Sequence, residues 1–273
     1  MKKIKLNQIK FVAAVAMCGL FVSCPIMKHP TSLVLLESMA MTRQSQCTIQ
    51  TGGSSQYLKT MGILDLSLTN HYFLFPHLYN NLPSSMEING SDAASLDVES
   101  NYINIVGAHV RLDIPMDIYN DKNANQSILY SAMTSGYFVG SAGGILPDTD
   151  AMSSLEVLPV NIGRELKKVF KARIKADNCS APAADLFAYV NMDGVTVTGS
   201  KVESNTYMFP IKLCWGCLVR YVTDNPTDSI PKSNSAPCLP GQDDAVTNVL
   251  CVHIAPPMDQ DICYPDRSCA GGY

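Results

Sequence analysis

Apolar and polar residues alternate along this chain with a period of two, and that pattern restricts its folding more than any other feature. Over residues 106–114, Val106, Ala108, Val110, Leu112 and Ile114 share one face, with Gly107, His109, Arg111 and Asp113 on the other. A strand packed on one side has this pattern. Leu64, Leu66 and Leu68 alternate with Asp65, Ser67 and Thr69 in the same way. Tyr207, Phe209, Ile211 and Leu213 alternate with Met208, Pro210 and Lys212, where Pro210 points to an edge strand. Further strands are expected at 33–39, 71–75, 127–138, 155–158, 170–176, 186–190, 195–198 and 218–222. A single short helix is expected where Ile162, Leu166 and Val169 follow helical spacing, with Asn161 as its cap. The resulting expectation is an all-β fold, an immunoglobulin-like β-sandwich with one short helix and a disulfide-rich, loop-like C-terminal tail.

The N-terminus carries Lys2, Lys3, Lys5 and Lys10 without an acid, followed by an apolar run over residues 11–22. That is the layout of a signal peptide, here residues 1–23. Ser23-Cys24 then resembles the end of a lipobox, which would make Cys24 a diacylated N-terminus and residues 24–32 an anchor and tether. The expected address is the bacterial envelope, as an outer-membrane lipoprotein exposed at the surface, or secretion if Cys24 carries no lipid. Domain boundaries follow: a β-sandwich over 33–222 and a cysteine-rich tail over 223–273.

Removal of residues 1–23 leaves 16 basic residues against 24 acidic ones, because the leader takes four lysines and no acid. An acidic surface does not suit nucleic acid, and the densest basic group, Arg164, Lys167, Lys168, Lys171, Arg173 and Lys175, reads as a solvated face. The expected partners are the membrane, through the lipid anchor, and a protein or glycan. No cofactor is expected.

Apart from Cys18 and Cys24, the cysteines are Cys47, Cys179, Cys214, Cys217, Cys238, Cys251, Cys263 and Cys269. Eight is an even number that fits four disulfides in an oxidising compartment, with 105 possible connectivities. The isolation of Cys47 and Cys179 suggests that they pair within the sandwich while the six later cysteines close the tail. Cys214-Trp215-Gly216-Cys217 also admits a thiol-disulfide reading, but strand patterns flank it where a redox cysteine would sit at a helix N-terminus. Cys214, Cys217, Cys238 and Cys251 match a four-cysteine zinc site only loosely. Structural cystines are therefore expected.

Other chemistry leaves weaker traces. G-x-S-x-G is absent, and Gly140-Ser141-Ala142-Gly143-Gly144 lacks the lysine of a phosphate loop and reads as a flexible loop. His71 and His77 are expected at separate surface or edge positions. Asp117, Asn120, Asp121 and Asn123, and separately Asp148 and Asp150, form loops rich in calcium-ligand types, yet neither follows an EF-hand and solvated loops are expected.

Several segments together resemble an uncharacterised family of outer-surface lipoproteins from myxobacteria and related delta-proteobacteria. They are Gly62-Ile63-Leu64-Asp65-Leu66, Phe75-Pro76, Asn80-Asn81-Leu82, Gly107-Ala108-His109-Val110, Val202-Glu203-Ser204-Asn205 and Phe209-Pro210-Ile211. The most specific are Cys214-Trp215-Gly216-Cys217-Leu218-Val219 and Cys238-Leu239-Pro240-Gly241-Gln242-Asp243. The resemblance implies a lipid-anchored, cysteine-stapled surface protein with no catalytic residues to carry over. The reading that follows is a structural or binding module, not an enzyme. Its rivals are an envelope thiol-disulfide oxidoreductase using Cys214 and Cys217, and a calcium- or glycan-dependent adhesion domain.

Overall fold

The structure is a computed structural model, and it describes residues 32–41, 47–49, 58–87, 95–97, 99–176, 182–220, 238–244, 246–247, 251–254 and 260–263. All of these fall within one unit, Thr31–Tyr273. The signal segment, Cys24, Cys179 and Cys269 lie outside the described residues.

In chain order the first elements are β1 (Leu33–Met39), β2 (Leu58–Lys59), β3 (Gly62–Asp65), β4 (Tyr72–Leu74), β5 (Pro76–Asn80), β6 (Ser85–Glu87), β7 (Ser95–Asp97) and β8 (Ile103–Asp113). Two helices, α1 (Met116–Tyr119) and α2 (Gln126–Thr134), precede β9 (Tyr137–Ile145), β10 (Asp150–Met152) and β11 (Leu155–Leu158). Helix α3 (Val160–Ala176) leads to β12 (Ala183–Thr196), β13 (Lys201–Glu203) and β14 (Tyr207–Cys214). Short pairs follow from β15 (Val219–Arg220), β16 (Val246–Thr247), β17 (Cys251–Ile254) and β18 (Gln260–Cys263).

The protein is mostly β, as the alternation requires. Its largest sheet runs β3-β14-β12-β8-β9, with β13 also paired to β12. All of its pairings are antiparallel except β14 with β3. A second sheet runs β10-β5-β1-β2. Leu33, Leu35 and Leu78 of the second sheet join Val110, Leu112, Leu186, Val190 and Phe209 of the first in one hydrophobic core. Burying side chains of this size supplies about 1.5–3 kcal/mol each relative to exposure, which makes this shared core the main source of stability.

Along β8 the expected alternation holds on one side of Gly107 and slips on the other. Ala108, Val110 and Leu112 are buried, but Val106 is exposed. The register with β9 shifts between Ile105 and Gly107, and this bulge turns Val106 outward. Pro210 sits on β14 one residue before the parallel pairing with β3 begins at Ile211, so its missing N–H breaks no ladder bond on that side.

Four expected features are corrected, and the single short helix is replaced by three α-helices among the described residues, the longest of 17 residues. The strand expected over 127–138 is helix α2 followed by β9: the Asn125 side chain caps α2 by accepting the Ser127 N–H, and Gly136 ends it at φ 66°. The strand expected over 170–176 is the second half of α3. Phe170 and Ile174 extend the buried stripe of Ile162, Leu166 and Val169, and residues 170, 172 and 174 satisfy a period-two reading only by coincidence. This helix starts at Val160, so Asn161 lies in its first turn and is not its cap. Finally, the glycine-rich segment 140–144 is not a loop but part of β9.

Candidate functional site at the junction of the cysteine motifs

β3 is a short strand with partners on both sides. On one side β14 runs parallel to it, and the register ends with Cys214 opposite Asp65. On the other side Asp65 donates its N–H to the Gly241 carbonyl (2.8 Å) and Asp243 donates to the Ile63 carbonyl (2.9 Å). Residues 240–244 thus continue the sheet across β3, and the two cysteine motifs, far apart in sequence, flank the same four-residue strand.

Asp65 organises the first motif. Its side chain is fully buried, and Oδ1 accepts the Ser67 N–H (3.0 Å), the Ser67 hydroxyl (2.6 Å) and the Gly216 N–H (2.8 Å), while Oδ2 accepts the Leu218 N–H (2.9 Å). A buried carboxylate is tolerated when donors surround it in this way. The result is a fixed turn between Cys214 and Leu218, with Gly216 at φ 71° where a side chain would be strained. Cys214 and Cys217 form a disulfide across this turn. Above it, the Lys167 ammonium donates to the Ser67 carbonyl (3.1 Å) and lies 5.8 Å from the centre of the Trp215 ring. Burial lowers the proton affinity of Lys167, partly offset by the charge of Asp65.

Asp243 and Gln242 organise the second motif. Asp243 accepts the Ile63 N–H (2.7 Å), the Tyr72 hydroxyl (2.8 Å) and an ion pair from Lys59 (2.7 Å). Burial, and then the Asp243 charge, raises the Tyr72 phenol well above its ordinary pKa and keeps it a hydrogen-bond donor. The Gln242 amide imitates a strand neighbour: it accepts the Phe73 N–H (2.9 Å) and donates to the Phe73 carbonyl (2.6 Å). Gly241 passes so close to Leu68 and Thr69 that an added Cβ would come within 2.7 Å of Leu68. Cys238, at the start of this segment, is bonded to Cys47.

These bonds correct the expected pairing of Cys47 with Cys179: the partner of Cys47 is Cys238, because the 238–244 segment is held against β3 and β4 and not in a separate tail. The loose zinc set does not assemble, since Cys238 is bonded to Cys47 and Cys214 to Cys217. In the backbone register of β17 and β18, Cys251 stands opposite Cys263. Asp65, Gln242 and Asp243 were not singled out by sequence as site residues. Asp65 falls on the polar side of an alternating run and looks solvated, and only its spacing to Ser67, which suits an Asx turn, hinted at more.

Both calcium-ligand loops have their carboxylates engaged by protein groups. Arg173 donates to Asp117 (2.7 Å) and lies 3.6 Å from Asp121, so a guanidinium occupies the negative loop. Asp148 accepts the Tyr79 hydroxyl, and Asp150 accepts Nε2 of His77 (2.6 Å). The surface or edge position expected for His77 is corrected: β5 lies inside its sheet, and His77 is buried and faces Glu37 through Nδ1 (3.2 Å), so that β1, β5 and β10 meet at its ring. His71 packs edge-on against Phe73, away from this group.

The His77 hydrogen bond holds the Asp150 carboxyl below the usual carboxylate range. Glu165 is also held low: burial opposes this, but Lys168 and the Asn125 N–H outweigh it. A carboxyl depressed by folding contributes stability that is fully present above its unfolded pKa, about 4, and lost as pH falls through its folded value. Thermal melts should therefore show little change between pH 5 and 7 from these groups and a fall in Tm below about pH 4. Asp150→Asn should flatten the acid limb, and an acid limb of unaltered steepness would contradict the assignment.

On the outer face of the large sheet lies an open groove of about 200 Å³ lined by His109, Arg111, Tyr137, Tyr189, Asn191 and Thr206. Arg111 stacks on Tyr189, with its guanidinium carbon 4.5 Å from the ring centre. The Asn191 amide donates to Thr206 (2.9 Å), and His109 pairs with Asp193 (3.2 Å) at the rim. Among the described residues no helix is long and apolar enough to cross a membrane. No model of a known protein family matches the chain, and no curated protein matches it.

Proposed function

We propose that this is an exported surface module with a structural or binding role, held at the bacterial envelope as an outer-membrane lipoprotein through a lipid on Cys24. The observation that carries this reading is the Cys47–Cys238 disulfide, which closes 191 residues of sequence onto a sheet already sealed by residues 240–244. Cross-links of this span belong to oxidising compartments. The acidic mature chain supports a partner other than nucleic acid, and the Arg111–Tyr189 groove supplies a cation and an aromatic face for a protein or glycan. No catalytic step is assigned to it. Kinship with the uncharacterised myxobacterial lipoproteins is part of the same proposal, supported by the meeting of the two most specific shared segments at β3.

At the level of architecture we propose an immunoglobulin-like variant of a two-sheet fold. Its support is the antiparallel run β14-β12-β8-β9 sharing a core with β10-β5-β1-β2, while the parallel β3 and the long α3 are additions to that plan. Cys24→Ala tests the address. The wild type should partition with membranes and the variant should appear in the soluble or secreted fraction, since an acyl anchor needs its cysteine. A variant that stays in the membrane fraction would refute lipid anchoring at this residue.

A further inference from the structure

We propose that the Cys214–Cys217 disulfide is a thiol-disulfide exchange site that accepts two electrons from a dithiol partner, with Cys217 as the sulfur that is attacked. This goes beyond the structural reading and rests on its oxidising compartment.

Three observations converge on this site. The first is asymmetry of access: Cys214 is 4% exposed, whereas Cys217 lies open at the surface. Exchange requires a thiolate to approach a disulfide sulfur directly, so only Cys217 can be the target in the folded chain. The second is a turn that does not depend on the disulfide. The N–H groups of Gly216 and Leu218 are bound to Asp65, Leu66 donates to the Cys214 carbonyl (2.9 Å), and Cys214 ends the β14 ladder. Opening the bond leaves the turn in place, so the pair can be reduced and reoxidised without unfolding the segment. Cys47–Cys238, also exposed at Cys47, lacks this property, since its two halves are distant in sequence.

The third observation is what surrounds the leaving sulfur. The Asp65 carboxylate and both cysteine sulfurs all lie within 4.8 Å of one another. A negative charge so close disfavours a second one on either sulfur, so it slows the exchange and makes its rate sensitive to Asp65. The Cys214 sulfur is also 3.5 Å from the Leu64 carbonyl, an acceptor ready for an S–H donor. That carbonyl gives a reduced Cys214 a hydrogen-bond partner, and Cys217, open at the surface, is the thiol that a partner can reach in the return reaction.

A thiolate of the dithiol attacks Cys217 Sγ, forming a mixed disulfide and breaking the bond to Cys214, whose sulfur takes the electron pair and a proton from solvent. The second thiol of the partner, deprotonated, attacks its own sulfur in the mixed disulfide and expels Cys217 as thiolate. The dithiol becomes a disulfide and the protein gains two thiols. Asp65 acts here as a positioning residue, fixing the turn that carries both sulfurs.

Purified full chain is treated with reduced dithiothreitol, quenched in acid, alkylated and mapped by mass spectrometry, with circular dichroism confirming the fold. Cys214 and Cys217 should label before Cys47 and Cys238, by about tenfold in rate. With glutathione disulfide, Cys214→Ser should form a mixed disulfide at Cys217 about tenfold faster than Cys217→Ser forms one at Cys214. Asp65→Asn should move labelling of Cys214 to lower pH, whereas a purely structural Asp65 would leave that profile in place. Resistance of Cys214–Cys217 to dithiothreitol in the folded chain, or equal trapping by the two serine variants, would overturn the proposal. Free thiols at Cys47 and Cys238 in protein isolated without reductant would instead contradict the exported reading, and the exchange assay on the purified chain is scored whichever compartment it came from.

Discussion

Replacing Asp65 by alanine should destabilise the protein by about 4 kcal/mol, a drop of roughly 10 °C in Tm. The carboxylate, itself fully buried, holds three backbone N–H groups, those of Ser67, Gly216 and Leu218, together with the Ser67 hydroxyl. Alanine leaves those donors without their acceptor. Each unsatisfied buried donor costs about 1–3 kcal/mol, and partial entry of water recovers some of the sum. Asparagine keeps an acceptor oxygen for part of the set and should lose about half as much. Urea melts of the three proteins check the order. An alanine variant within about 1 kcal/mol of wild type would mean that the turn is held by the disulfide and not by the carboxylate.

The second large effect comes from a substitution that helix propensity alone would favour. Gly163 lies in the first turn of α3, where alanine should gain up to about 1 kcal/mol. The added methyl, however, would overlap the Asn70 carbonyl, which belongs to the backbone and cannot rotate away. The helix must shift, and with it the seats of Ile162, Leu166 and Phe170 in the core. Gly163→Ala is therefore expected to lose about 2–3 kcal/mol net, while Arg164→Ala on the exposed face should stay within about 0.5 kcal/mol. Chemical denaturation of both variants measures this, and a Gly163→Ala protein more stable than wild type would refute the close approach of α3 to residue 70.

How much of this was legible in the sequence depends on the range over which each signal acts. Period-two alternation located β1, β4, β8, β11, β12 and β14, because one buried face is a property of the strand itself. The same signal misled at 127–138 and 170–176, where residues spaced two apart also fit a helix, and the cap at Asn125 and the stop at Gly136 carried the better information. Val106 was placed on the buried face because a bulge in β8 leaves no trace in the alternation. The cysteine motifs were visible as motifs, but their meeting was not. Asp65, Gln242 and Asp243 act through partners about 150–180 residues away, and no local pattern encodes a contact of that range. The pairing of Cys47 with Cys238 is of the same kind, so isolation in sequence was a poor guide to it.

Residues 238–244 belong to the β body, hydrogen-bonded along β3 and tied to Cys47 by the Cys238 disulfide. Peptide mapping of the unreduced protein tests this most directly. The expected result is a linked peptide pair joining Cys47 to Cys238 and an internal bond between Cys214 and Cys217. A peptide joining Cys47 to Cys179, or Cys238 to any cysteine other than Cys47, would contradict it.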